Sequence, residues 1–327
     1  MENCKRALVT MAAPEHLLNP ALDALRAAGI APITGDTHGD WPEEKLAAAA
    51  GAMEVALIGT EPWTARVIAQ CPKLKLLVRA GTGFDSVDMA AATAHGVMVA
   101  NTPYLNTYAV AEFALSLMLA SLRQLKQLDK IVGYGGWKQV PAHELRGSTV
   151  GLLGFGRIAQ QLAALLQPFG CKLLAYDVYR NEAAAKALNV TFAPMETVLA
   201  SADVLSLHLP LTEETKGCIN ACTLAMMKRN CILINTSRGG VVETEALFEA
   251  LNRGAIAGAA LDVHPTEPVP EDYCLRYLDN VLLTPHCATA TDETTADILR
   301  HAALAAIDYY AGRPVQNILN PAVSAGK

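Results

Sequence analysis

The chain has 327 residues, more than one compact core accommodates and suited to about two domains. A net charge of −6 argues against nucleic acid or an anionic membrane as the main partner, because both demand a basic surface. No window holds an unbroken apolar run of about 18 residues, and the opening MENCKRALVT lacks the apolar stretch of a secretory signal, so a cytoplasmic protein is expected.

Strand and helix alternate from the outset. Residues 6–10 predict a strand and 19–28 a helix with Pro20 at its start and Gly29 just past its end. The pattern continues with a helix over 43–50, a buried strand over 55–58, a short helix over 64–70, and strands over 74–79 and 97–100. Between the last two lies Ala80, Gly81, Thr82, Gly83, Phe84, Asp85, a glycine loop at the carboxyl end of a strand, where ligands sit in an open α/β sheet. Its bare amides suit a carboxylate. A long helix over 108–128, rich in Ala, Leu and Met, then connects to a second alternating series. Its elements fall at 190–192, 197–200, 204–207, 224–227, 231–235, 245–252, 257–261 and 281–284. A final helix over 292–310 and the tail GRPVQNILNP return to the first domain. The expected architecture is therefore α/β, two Rossmann-like doubly wound parallel-sheet domains with a cleft between them. Residues 1–103 and 290–327 form the discontinuous outer domain and 104–289 the inner one.

The second series opens on Ser148 to Asp177, STVGLLGFGRIAQQLAALLQPFGCKLLAYD. A short apolar strand enters Gly154, Phe155, Gly156, Arg157, Ile158, Ala159. An amphipathic helix follows with Leu162, Leu165 and Leu166 on one face, and the next strand ends on Asp177. Gly154 permits the tight turn and Gly156 lets the backbone approach a pyrophosphate, which the helix N-terminus attracts. Asp177 stands about 20 positions on, where a ribose is read. An acid there favours NAD by repelling a 2′-phosphate, while Arg180 nearby leaves NADP open. The eight cysteines are scattered, and the closest pair, Cys218 and Cys222, lacks zinc-like spacing. Reduced thiols and no metal are expected, with Cys287 in a packing role.

Three later stretches place polar groups where apolar strands stop: Asn235 to Gly240, Asp262 to Pro268, and Thr284 to His286. All three would face one crevice beside a nicotinamide. Hydride transfer to a 2-keto acid needs a cation for the carboxylate and a proton donor active near neutral pH. Arg238 offers the planar fork and His286 the imidazole, with Glu267 to orient the ring and stabilise its cation.

VGLLGFGRIAQ, HLPLTEETKGCIN, LINTSRGGVVE, ALDVHPTEP and TPHCATAT, with RAGTGFDSVD and NTP before them, resemble the successive signatures of the D-isomer-specific 2-hydroxyacid dehydrogenases over nearly the whole chain. The resemblance implies an NAD-dependent oxidoreductase with Arg238, Glu267 and His286 as the catalytic set, and Asp262 on the nicotinamide carboxamide. It further implies Thr82, Gly154, Phe155, Gly156, Arg157, Ile158, Asp177, His208, Leu209, Pro210, Thr236 and Ser237 around the cofactor. Arg79, Ala80, Gly81 and Gly83 would join Arg238 and His286 at the substrate, and homodimers would form through the NAD-binding domain. The chain is most similar to the phosphoglycerate dehydrogenase and hydroxypyruvate/glyoxylate reductase branch, so 3-phosphoglycerate, hydroxypyruvate and glyoxylate are the candidate substrates. Two departures bear on that choice. Gly59, Thr60 and Glu61 stand where phosphoglycerate dehydrogenases commonly carry a basic residue, although Arg79 remains, and the serine-binding domain of longer members is expected to be absent. Glu267, where related formate dehydrogenases carry Gln, makes formate a poor candidate. The alternative is an NAD(H)-sensing interaction protein like the C-terminal-binding co-repressors, which keep the same triad.

Overall fold

A computed structural model describes residues 5–35 and 41–326, of which 324–326 are described by backbone alone. The chain divides into two compact units, residues 1–106 with 290–327, and 107–289.

The first unit runs β1 (Arg6–Val9), α1 (Glu15–Ala27), β2 (Ala31–Thr34), α2 (Glu43–Ala50), β3 (Val55–Ile58), α3 (Ala65–Ala69), β4 (Leu76–Arg79), α4 (Met89–Ala94) and β5 (Met98–Asn101). Its five strands pair in parallel in the order β2-β1-β3-β4-β5. Each central strand is buried on both faces: Ala7 and Val9 point into one apolar cluster and Leu8 into the other, at 0–1% exposure. The tail is tied to β5 through the Leu319 amide on Val99 O at 2.8 Å and the Asn320 side chain on the Val99 amide at 2.9 Å.

The second unit runs α5 (Thr107–Leu122), α6 (Leu125–Gly133), β6 (Thr149–Leu153), α7 (Arg157–Leu166), β7 (Lys172–Tyr176), α8 (Glu182–Ala187), β8 (Val190–Phe192) and α9 (Met195–Ser201). It continues with β9 (Val204–Leu207), α10 (Ala221–Ala225), β10 (Ile232–Asn235), α11 (Thr244–Asn252), β11 (Gly258–Leu261) and β12 (Val281–Leu283). Seven parallel strands lie in the order β12-β11-β10-β9-β6-β7-β8. Strand order reverses between β6 and β9, the point at which such sheets open for a dinucleotide. The last helix, α12 (Asp292–Tyr310), belongs to the first unit and packs on α1.

Several element boundaries differ from the sequence reading for local reasons. Helix α1 starts at Glu15, after Pro14, so Pro20 lies inside it and not at its start. Pro20 faces solvent while Leu18, Ala21, Leu22 and Leu25 bury the opposite face, and that burial offsets the missing hydrogen bond. The connector read as one helix is two. Gln124 adopts φ +56°, breaking the run between Leu122 and Leu125. On α7 the buried stripe is Ala159, Leu162, Ala163 and Leu166, with Leu165 at its margin. Strand β2 and helices α4 and α8 carried no clear pattern; β2 contains Pro32 and is an edge strand, where a missing donor is tolerated.

Candidate active site

The glycine turn after β6 is shaped by close approach. Gly154 adopts φ +89°, and a Cβ there would stand 2.5 Å from His208 O, so no other residue fits between the ends of β6 and β9. Gly156 opens onto free space and stands at the N-cap of α7 without a side-chain cap, leaving that helix's first amides for an anion. Asp177, at the end of β7, accepts from the Phe155 amide at 2.6 Å and from the Tyr179 amide at 2.9 Å. The Arg180 guanidinium lies over the Phe192 ring at 5.6 Å. His208 contacts Ser206 Oγ through Nε2 at 2.9 Å, and burial pushes its imidazole down to about 4, so it is neutral at physiological pH. After β10, Thr236 Oγ1 is buried with no hydrogen-bond partner among the described residues. An open glycine cradle, an acid at the second strand end and an unsatisfied buried hydroxyl together fit a dinucleotide.

Beyond β10, β11 and β12 the backbone is organised by side chains. Asn235 accepts from the Ser237 amide at 3.0 Å and the Ser237 hydroxyl at 2.8 Å, and donates to Arg238 O at 2.9 Å. That wraps the Arg238 loop, and Arg238 Nη1 donates to Ser237 O at 2.7 Å. A Cβ on Gly239 would lie 2.0 Å from the His264 carbonyl carbon, so the Arg238 loop rests directly on the peptide that begins the Glu267 loop.

Glu267 and His286 meet: His286 Nδ1 and Glu267 Oε2 are 2.7 Å apart. Glu267 Oε1 accepts from the His264 amide at 2.9 Å. Partial burial pushes the Glu267 carboxyl up, but the hydrogen bonds from His286 and the His264 amide outweigh it and hold it below the ordinary carboxylate range. A carboxylate that stays ionised fixes the proton on His286 Nδ1 and leaves Nε2 for a reacting group.

Asp262, read as a contact of the nicotinamide carboxamide, is fully enclosed at 0% exposure. Its Oδ1 accepts from Thr284 Oγ1 at 2.6 Å and the Cys287 amide at 2.9 Å, and its Oδ2 from the Ala288 amide at 3.0 Å. These bonds hold the His286 loop. Cys287 Sγ lies 3.6 Å from Asp262 Oδ1, and burial pushes its thiol up, in keeping with packing. His264 was not singled out as a site residue. It is buried, bonds Thr284 O through Nε2 at 3.0 Å, and sets its ring edge-on to Tyr273 at 5.6 Å. Only its place beside Glu267 in HPTEP marks it in the sequence.

In the first unit, the glycine loop follows β4. The Arg79 guanidinium folds over it, with Nη1 2.7 Å from where a Gly81 Cβ would be. The Gly81 amide is not bare: it donates to Thr102 Oγ1 at 2.7 Å, because the loop needs that bond to turn back onto β5. Ala80 donates to Ile58 O at 2.9 Å, and Thr82 binds Asn106 Oδ1 through Oγ1 at 3.2 Å. At the carboxyl end of the neighbouring β3, burial pushes the Glu61 carboxyl up against opposing hydrogen bonds, including one from Thr10, and the charge of Arg79. Glu61 Oε2 is buried with no partner among the described residues.

Residues 115–288 match the family model described as D-isomer specific 2-hydroxyacid dehydrogenase, NAD binding domain. A glyoxylate reductase of Korarchaeum cryptofilum is 40% identical over 270 residues, 81% of each chain. A D-3-phosphoglycerate dehydrogenase of Archaeoglobus fulgidus is 40% identical over 258 residues, which are 78% of this chain and 49% of that longer one. Among solved structures, D-lactate dehydrogenase from Aquifex aeolicus, complexed with NAD and lactic acid, superimposes with a TM-score of 0.82 at 28% identity, covering 96% of this chain and 99% of that one. The protein is thus an NAD-dependent oxidoreductase. The chain belongs to the D-isomer-specific 2-hydroxyacid dehydrogenases.

Proposed function

We propose that this dehydrogenase interconverts a small 2-keto acid and its D-2-hydroxy acid, with His286 as the proton donor and acceptor at the C2 oxygen. Bound NAD(H) supplies or removes the hydride at C2. In the reducing direction His286 Nε2 gives its proton to the carbonyl oxygen as that oxygen gains electron density, so the product leaves with a hydroxyl. Glu267, ionised and 2.7 Å from Nδ1, balances the imidazolium before transfer and keeps the ring from turning. Arg238 pairs with the substrate carboxylate and draws density from the adjacent carbonyl. Arg157, Ile158, Leu209, Pro210, Thr236 and Ser237 line the cofactor in this reading. The observation that carries the proposal is the Glu267–His286 pair standing at adjacent strand ends with the Arg238 loop packed against its base.

Glyoxylate and hydroxypyruvate fit better than a phosphorylated acid. Glu61 puts a carboxyl group at the edge of the five-stranded sheet, where a phosphate would need a cation. The test follows NADH absorbance with glyoxylate, hydroxypyruvate, pyruvate and 3-phosphohydroxypyruvate in turn. Turnover is expected with the first two and little with the last. Tight NADH binding with no turnover of any 2-keto acid overturns the reading. A homodimer through the second unit belongs to the same proposal. Helix α6 buries no residue, and Trp137 just after it is 93% exposed, a combination suited to a covering subunit. Sedimentation at the mass of one chain would remove it.

A further inference from the structure

His286 is not glycine, yet its backbone sits at φ +52°. A histidine held in the left-handed region carries a conformational cost, and it stays there only where its surroundings over-determine it. The restraints come from one residue 24 positions earlier. The His286 amide donates to Asp262 O at 2.8 Å, and the next two amides, of Cys287 and Ala288, donate to the two oxygens of the Asp262 carboxylate. Three successive amides of the loop therefore converge on Asp262.

A carboxylate can do this only if it cannot rotate. Its third close donor is Thr284 Oγ1, at 2.6 Å from Oδ1, the shortest of the set. Thr284 is itself fastened on both sides. Its amide donates to Leu261 O at 3.0 Å, and its carbonyl accepts from His264 Nε2 at 3.0 Å. The hydroxyl is thus a fixed point from which the carboxylate is aimed, and the carboxylate in turn fixes the imidazole-bearing loop. An enclosed carboxylate also needs its lone pairs filled to be tolerated at all.

We propose that Thr284 is a positioning residue: its hydroxyl orients the Asp262 carboxylate, which holds His286 in the left-handed conformation that keeps Nδ1 on Glu267. The proposal rests on the reading of His286 as the acid/base. A loop free to relax from φ +52° would carry the ring away from Glu267, and a displacement of about 1 Å in such a group slows the chemical step strongly while leaving binding contacts in place.

The test compares Thr284→Val, which keeps the β-branched shape without the hydroxyl, with Thr284→Ser, which restores the hydroxyl and loses a methyl. Each is assayed for kcat, KM of the accepted 2-keto acid, and NADH affinity by fluorescence, with His286→Asn beside them. The valine variant should lose about tenfold in kcat, with KM and NADH affinity within about twofold, and the serine variant should recover most of the loss. A residue needed only for folding would affect both variants and all three quantities together. Wild-type kcat in the valine variant, equal loss in the serine variant, or parallel loss of NADH affinity overturns the proposal. If the valine variant does not accumulate folded, Thr284→Ala asks the same question without the branch. Full turnover in His286→Asn would instead overturn the acid/base reading, a separate outcome.

Discussion

The two parallel sheets reverse their strand order by the same rule and treat the point of reversal in opposite ways. In the seven-stranded sheet, between β6 and β9, the edge is emptied: Gly154 admits no side chain, Gly156 faces open space, and His208 is kept neutral. In the five-stranded sheet, between β1 and β3, the edge is filled, with the Glu61 carboxyl buried and hydrogen-bonded to Thr10. One edge leaves open space beside helix amides and the other already carries an acid. Topology decides where a site can be; the side chains at the strand ends decide which charge it accepts.

The sharpest break of this comparison is His286→Ala. If the chemistry belongs to the seven-stranded sheet, kcat should fall about 10³-fold with NADH affinity spared, and unchanged turnover would remove the mechanism. Next is Asp177→Ala, which should weaken NAD about tenfold and NADP less, since the lost group recognises an unmodified ribose; titration of both dinucleotides checks it, and equal losses would mean the acid does not discriminate. The third concerns pH. His208 is depressed from its ordinary value near 6.5 to about 4, so the unfolded chain takes up the proton first as pH falls. Stability is intact above about 6.5 and declines between there and 4, by about 2 kcal/mol after allowing for the partial exposure of the residue as a whole. His208→Gln should flatten that slope in denaturant titrations; an unaltered slope would put the loss elsewhere.

The smallest effect has the opposite sign. The Glu61 carboxyl is raised, so the folded protein holds its proton longer than the unfolded chain does, and stability falls as pH rises above the ordinary carboxylate range. Glu61→Gln should therefore gain about 1 kcal/mol at neutral pH, and nothing below about pH 4. Melting temperatures at the two pH values decide it: an equal gain at both would point to packing and not to charge.

Much of this was legible in the chain because it is written in short-range patterns. Gly154, Gly156 and Asp177 declare themselves by spacing, and Arg238, Glu267 and His286 by standing where apolar strands stop. Helix α12 was bounded correctly because Thr291 caps it and its apolar stripe is continuous. What could not be read were events settled by packing. Nothing in SLRQLK signals that Gln124 turns left-handed and breaks a helix, since no Gly or Pro stands there. The enclosure of Asp262 and its bond to Thr284 join residues 22 apart, a relation without any local signature. The same is true of Gly81, whose amide is taken by a threonine 21 residues on.

The bond from the Phe155 amide to Asp177 has a kinetic consequence. If Asp177 takes the ribose and the turn takes the pyrophosphate, the same acid braces the turn, and the receptor should hold its shape before the dinucleotide arrives. Capture should then proceed without a slow rearrangement, with less ordering entropy subtracted from the affinity. In stopped-flow mixing, the association of NADH should be a single phase whose rate rises linearly with concentration.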